Sequence, residues 1–182
     1  MKPAATKTHA PAATSHRVSG ASRASARKST SVVTRMRFAA PPDQVWGGLM
    51  FYEQIEERPP LHLRLLLPMP IATEKVKSNV GDVVRCLYQG GHLLKRITEI
   101  DPRRHYGFDV VEQTLAIGGG LTLSGGGYTL RKLPNGGTEV AVTTRYVSGR
   151  HPAWLWKPFE AAVCHMFHRY LLAAMRRKVE SD

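Results

Sequence analysis

The sequence predicts an α+β fold in which a curved antiparallel sheet grips one long C-terminal helix. Three observations predict it. Turn signals cut the stretch from Asn79 to Val147 into short runs of strand character. Trp156, Phe159, Val163, Met166, Phe167, Tyr170, Leu171 and Ala174 then recur three or four apart, the period of a helix with one buried face. A strand followed by short helical segments precedes the hairpins.

The first strand is VVTRMRF. Val32, Thr34, Met36 and Phe38 share one face, and Val33, Arg35 and Arg37 share the other. A helix follows. Pro41 and Pro42 suit its start and Asp43 suits its dipole, while Val45, Trp46, Leu49 and Met50 form its stripe. Gly47 and Gly48 weaken that helix by about 1 kcal/mol each, so either it is short or another element approaches closely there. Phe51 to Glu57 reads as a second short helix, stopped by Arg58-Pro59-Pro60. Leu61, Leu63 and Leu65 alternate with His62, Arg64 and Leu66, which reads as a strand. Pro68 and Pro70 then exclude a central strand beyond Leu67 and imply an extended loop.

Turns at Asn79-Val80-Gly81-Asp82, Gly90-Gly91, Asp101-Pro102-Arg103-Arg104 and Pro134-Asn135-Gly136-Gly137 connect the hairpins. In the last strand Val140, Val142, Thr144 and Tyr146 alternate with Ala141, Thr143 and Arg145. The final helix is expected over Pro152–Lys178. Pro158 is tolerated if the regular helix begins there and kinks it if the helix begins at Pro152. Glu160, His165, His168 and Arg169 exclude a membrane span.

Composition places the chain among globular proteins, with 42% hydrophobic and 22% charged residues. The net charge of +12 is concentrated in a tail. Residues 1–30 hold six of the 26 basic residues and no acid, leaving 20 basic against 14 acidic residues for the rest. That distribution argues against nucleic-acid recognition by the folded part. The tail lacks large apolar groups and is expected to be disordered, with weak contact to an anionic membrane as one role. It has no apolar signal region, which together with two unpaired cysteines fits a cytoplasmic setting. An Arg- and Ser-rich organelle transit peptide is the alternative. Oligomeric state is not readable.

Several phrases together resemble the SRPBCC superfamily, also called START-like or polyketide cyclase/dehydrase-like. They are Phe38-Ala39-Ala40-Pro41-Pro42-Asp43-Gln44-Val45-Trp46, Val80-Gly81-Asp82, Ile97-Thr98-Glu99-Ile100-Asp101-Pro102 and the terminal helix. The resemblance covers Val32 to Val179. It implies a helix-grip domain over residues 31–182, a seven-stranded sheet around the last helix, and an apolar cavity between them. Members bind lipids, sterols, polyketides or plant hormones, and some are cyclases. The superfamily shares no catalytic residue set, so none is carried over.

Little else in the chain carries chemistry. Gly118-Gly119-Gly120 and Gly125-Gly126-Gly127 fit no phosphate-loop pattern and are expected to let the sheet bend. Cys164, His165 and His168 lack a further partner at metal-site spacing, so no metal and no cofactor is expected. His165 or His168 facing the cavity could orient a ligand. Glu99, Glu112, Glu139, His92 and Tyr146 are the acid–base candidates, and Arg85, Arg96 and Arg145 the anion-pairing ones, with the facing strand side undecided. Trp154 and Trp156, with Leu66, Leu67 and Met69, belong either to the core or to an apolar rim.

The expected function is non-catalytic binding of a hydrophobic or amphipathic small molecule, lipid-like or polyketide-like. The alternatives are a polyketide cyclase or aromatase and a membrane-associated interaction module with a filled core. The expected cavity wall is Trp46, Met50, Tyr88, Phe108, Leu123, Tyr128, Tyr146, Phe159, Val163, Met166, Phe167 and Tyr170.

Overall fold

A computed structural model describes residues 29–49, 51–74, 79–118 and 120–181. The tail reading therefore lies outside the described residues, apart from Lys-free positions 29 and 30, and so does Met50. Seven strands form one antiparallel sheet in the order β1-β7-β6-β5-β4-β3-β2. They are β1 (Thr30–Phe38), β2 (Pro70–Glu74), β3 (Val83–Tyr88), β4 (Gly91–Asp101), β5 (His105–Gln113), β6 (Leu121–Lys132) and β7 (Thr138–Ser148). Three helices complete the fold: α1 (Pro42–Gly47), α2 (Leu61–Leu66) and α3 (Ala153–Ser181), with a 3-10 turn at Tyr52–Gln54.

The alternation read in β1 and β7 holds. Val32, Thr34 and Phe38 are buried while Val33, Arg35 and Arg37 are exposed, and Val140, Val142 and Tyr146 are buried on β7. The two strands pair from Thr30↔Tyr146 to Phe38↔Thr138, which brings the first strand beside the last. α3 packs across them. Leu171, Leu172, Met175 and Val179 join Phe38, Val45, Leu130 and Val140 in a solid core. Each such buried side chain contributes about 1.5–3 kcal/mol.

Two local readings need correction, and the place of Pro158 is decided. Leu61–Leu66 is helix, not strand. The two periods compete there: Leu61 and Leu65 are exposed, and the buried Leu63 is followed at helical spacing by half-buried Leu66 and Leu67. Leucine favours helix and no β-branched residue opposes it. The strand lies further on, at β2, where Pro70 opens an edge strand and needs no ladder donor. The second short helix shrinks to the 3-10 turn, with the Phe51 amide capped by the Gln54 side chain at 2.8 Å. In α3, Pro158 lies inside the helix. The carbonyl it leaves without a helical donor is that of Trp154, in a turn exposed to water.

The two glycine observations have separate causes. A Cβ on Gly48 would stand 2.2 Å from Val179 Cγ2, so α1 ends where α3 comes against it. On β6 a Cβ at Gly125, Gly126 or Gly127 would stand 2.3–2.5 Å from a carbonyl oxygen of a neighbouring strand. A bulge falls between Leu123 and Gly125. The middle of the sheet bends there because no side chain holds the strands apart.

Candidate functional site

The bend opens a cavity of about 140 Å³ between the sheet and α3. Lys95 and Leu93 of β4, Phe108 and Val110 of β5, Leu121 and Leu123 of β6 and Tyr146 of β7 form its concave side. Val163, Cys164 and Phe167 of α3 close it, and Phe51, Tyr52 and Leu67 stand at its flank. The wall is overwhelmingly apolar. A cavity of about 150 Å³ lined by such groups admits a molecule the size of benzene.

Seven of the expected wall residues line it: Tyr88, Phe108, Leu123, Tyr128, Tyr146, Val163 and Phe167. Trp46 packs against the solid core instead. Phe159 is 51% exposed, and Met166 is half-buried away from the wall. Tyr170 stacks edge-on near Tyr52 and donates its hydroxyl to the Glu57 carbonyl at 2.9 Å.

The buried face of α3 is wider than its apolar stripe. The stripe positions Leu171 and Ala174 are buried as expected, but the buried face also takes in Glu160, His168, Leu172, Met175 and Val179, which the stripe left out. The polar members of that face are held by threonine and serine. Thr34 Oγ1 lies 2.7 Å from His165 Nδ1 and 2.8 Å from His168 Nδ1, and Thr144 Oγ1 lies 2.8 Å from His168 Nε2. Burial, with His165 alongside, holds the His168 imidazole down at about 4, so it is neutral near pH 7. Neither histidine is on the cavity wall. Cys164 Sγ is 3.6 Å from His168 Nε2, and no three potential metal ligands converge among the described residues.

The strand acid–base candidates mostly face outward. Glu112 pairs with His92 at 2.8 Å, Glu139 with Arg131 at 3.1 Å and Glu99 with His105 at 3.6 Å. Arg85, Arg96 and Arg145 are exposed, and Arg145 meets Asp109 at 2.7 Å. Tyr146 is the one that faces the cavity.

Three inward ionisable groups were not anticipated: Lys95, Glu53 and Glu160. Lys95 Nζ lies 2.8 Å from Glu53 Oε1, and Tyr88 donates its hydroxyl to the same oxygen. Burial raises the Glu53 carboxyl, but the Lys95 charge and the hydrogen bonds outweigh it and leave the pKa below the ordinary value. Burial lowers Lys95, and Glu53 more than reverses this. Lys95 is thus a protonated partner and not a free amine nucleophile. Its ammonium also stands 5.1 Å from the Phe51 ring and 5.3 Å from that of Phe108. Burial pushes the Cys86 and Cys164 thiols each up to about 11, so neither is a thiolate near pH 7. The signal for Lys95 was present in the sequence: it stands two residues from both Leu93 and Ile97, which face the core.

Glu160 sits on the cavity wall and is 4% exposed. Ser148 donates its hydroxyl to Glu160 Oε1 at 2.6 Å. Glu160 Oε2 and the Tyr146 hydroxyl are buried without a hydrogen-bond partner.

No family model and no curated protein matches the sequence. Solved structures do match the fold. Ara h 8.0201 is 15% identical with a TM-score of 0.54, over 85% of this chain and all 100% of that one. XoxI from Bacillus cereus is 14% identical with a TM-score of 0.57, over 82% of this chain and 95% of that one. A subunit of the Aha1 dimer from Colwellia psychrerythraea is 13% identical with a TM-score of 0.53, over 83% and 96%. The chain shares the helix-grip fold of these structures, a seven-stranded antiparallel sheet with a long C-terminal helix.

Proposed function

We propose that this protein binds a compact hydrophobic or amphipathic small molecule in the space between sheet and α3, without transforming it. The observation that carries the reading is the cavity itself, about 140 Å³ with aromatic and aliphatic walls. A guest burying about 300 Å² of apolar surface gains roughly 7 kcal/mol before association costs. A void of this kind supports carriage over an interaction module with a filled core. The likeness to Ara h 8.0201 supports the same reading only through the shared fold. Native mass spectrometry of the purified protein, with lipid extraction, tests it. A co-purifying apolar molecule, or uptake of a hydrophobic fluorescent probe that Val163→Trp abolishes, is the expected result. No extractable guest and no probe uptake would defeat the reading.

A cyclase-type activity is the second reading, and Glu160 is the observation that favours it. It is a buried carboxylate on the cavity wall beside a tyrosine hydroxyl, the kind of group general acid–base chemistry needs. Turnover of an unreduced polyketide-like chain by the wild type, lost in Glu160→Gln, is its test.

A further inference from the structure

The polar end of the cavity selects among guests. Among the described residues lining it, Lys95 is the one cation and Glu160 the one anion. Lys95 is already matched by Glu53 at 2.8 Å. Among the described residues Glu160 meets no cation at hydrogen-bonding distance, and its Oε1 accepts from the Ser148 hydroxyl at 2.6 Å. Its other oxygen lacks a donor in good hydrogen-bond geometry, and the neighbour that can turn to it is the Tyr146 hydroxyl, a neutral donor whose phenol is pushed up to about 12 by burial and by this carboxylate. A carboxylate oxygen accepts and never donates when ionised, and leaving it buried and unmatched is costly. A guest that brings a positive donor removes that cost. A guest that brings a second carboxylate meets repulsion and finds no unmatched cation.

We infer that the cavity takes small apolar amines, the ammonium seated between Glu160 Oε2 and the Tyr146 hydroxyl and the apolar body among Phe108, Leu123, Val163 and Phe167. This rests on the carrier reading above and narrows it. An ammonium has three donors, enough for the carboxylate and the phenol together. The cavity volume sets the size of the body at about one aromatic ring. Fatty acids and aryl carboxylates are thereby disfavoured as guests.

Calorimetric titration at pH 7 with three probes of one shape tests it: 2-phenylethylamine, propylbenzene and 3-phenylpropanoate. The amine is expected to bind at least about tenfold tighter than the neutral hydrocarbon, as a charged hydrogen bond would give, and the acid weaker than both. In Glu160→Gln the ratio of amine to hydrocarbon affinity should fall to about one, and Tyr146→Phe should reduce it in part. Glu112→Gln on the outer face should leave the ratio unchanged. Should Glu160→Gln fail to fold, the wild-type ranking of amine, hydrocarbon and acid still decides. Hydrocarbon binding with no preference for the amine overturns this inference and leaves the carrier reading standing. Failure of all three probes to bind overturns both.

Discussion

Lys95 Nζ lies 2.8 Å from Glu53 Oε1, with the Glu53 side chain fully withdrawn from water, and the pair ties β4 to the 3-10 turn beside the cavity. Removing either member strands the other as a buried charge. Lys95→Met is expected to destabilise the fold by about 3–5 kcal/mol. The double variant Lys95→Met/Glu53→Met should recover most of that loss, because two apolar side chains replace the pair. Urea denaturation of the single and double variants measures the difference. A Lys95→Met change that costs nothing would show the pair to be solvated.

His168 should make stability depend on pH. Its folded value of about 4 lies below the ordinary 6.5 because it is buried and stands beside His165. The unfolded chain takes up a proton as pH falls through 6.5, while the folded chain does not until about 4. The stabilisation is therefore complete above the first value and lost between the two, amounting to about 3 kcal/mol. Glu53 adds a further loss only below the ordinary carboxylate value of 4.5. Denaturation midpoints measured from pH 7 to pH 4 should fall for the wild type and flatten over that window in His168→Gln.

The glycines of β6 should resist even a methyl group. Gly126→Ala places a Cβ 2.5 Å from the Thr143 carbonyl oxygen. The expected cost is about 1–3 kcal/mol, as for other overpacked sites. Gly47→Ala meets nothing within 4 Å and lies in α1, so it should stabilise by up to about 1 kcal/mol. Thermal melts of the two variants should move in opposite directions.

Val163→Phe should separate binding from stability. The added ring fills space that the wild type leaves open between α3 and β6. Probe binding is expected to fall at least tenfold, while the urea midpoint stays level or rises, since filling a void restores packing contacts. A fall in stability with binding intact would mean that the space beside Val163 is not where guests sit.

The sheet and the long helix were legible because their signals are redundant: alternation in β1 and β7 agrees with the turns that flank them, and α3 has the length for many repeats of its period. Leu61–Leu66 was not, since six residues satisfy both periods and the choice is made by Leu63 reaching the core. Tyr88, Phe108 and Tyr146 reach the wall from three regular strands, whereas Leu123 and Tyr128, five apart on β6, share it only through the bulge between Leu123 and Gly125, whose position the sequence does not announce. On α3 the apolar stripe misled, because the helix buries Glu160 and His168 instead of Phe159. Threonines on β1 and β7 and Ser148 bond those two polar side chains, and these partners are more than ten residues distant in sequence. Buried polar pairs made by non-local contacts leave no periodic trace.

The central claim is that a guest enters between sheet and α3. The most direct measurement is a methyl-resolved NMR titration with ethylbenzene. Saturable shifts are predicted for the methyls of Val110, Leu123 and Val163, which line the cavity, with those of Val45 and Leu172 in the solid core unmoved. Shifts that never saturate, or that are absent from the first three methyls, would contradict it.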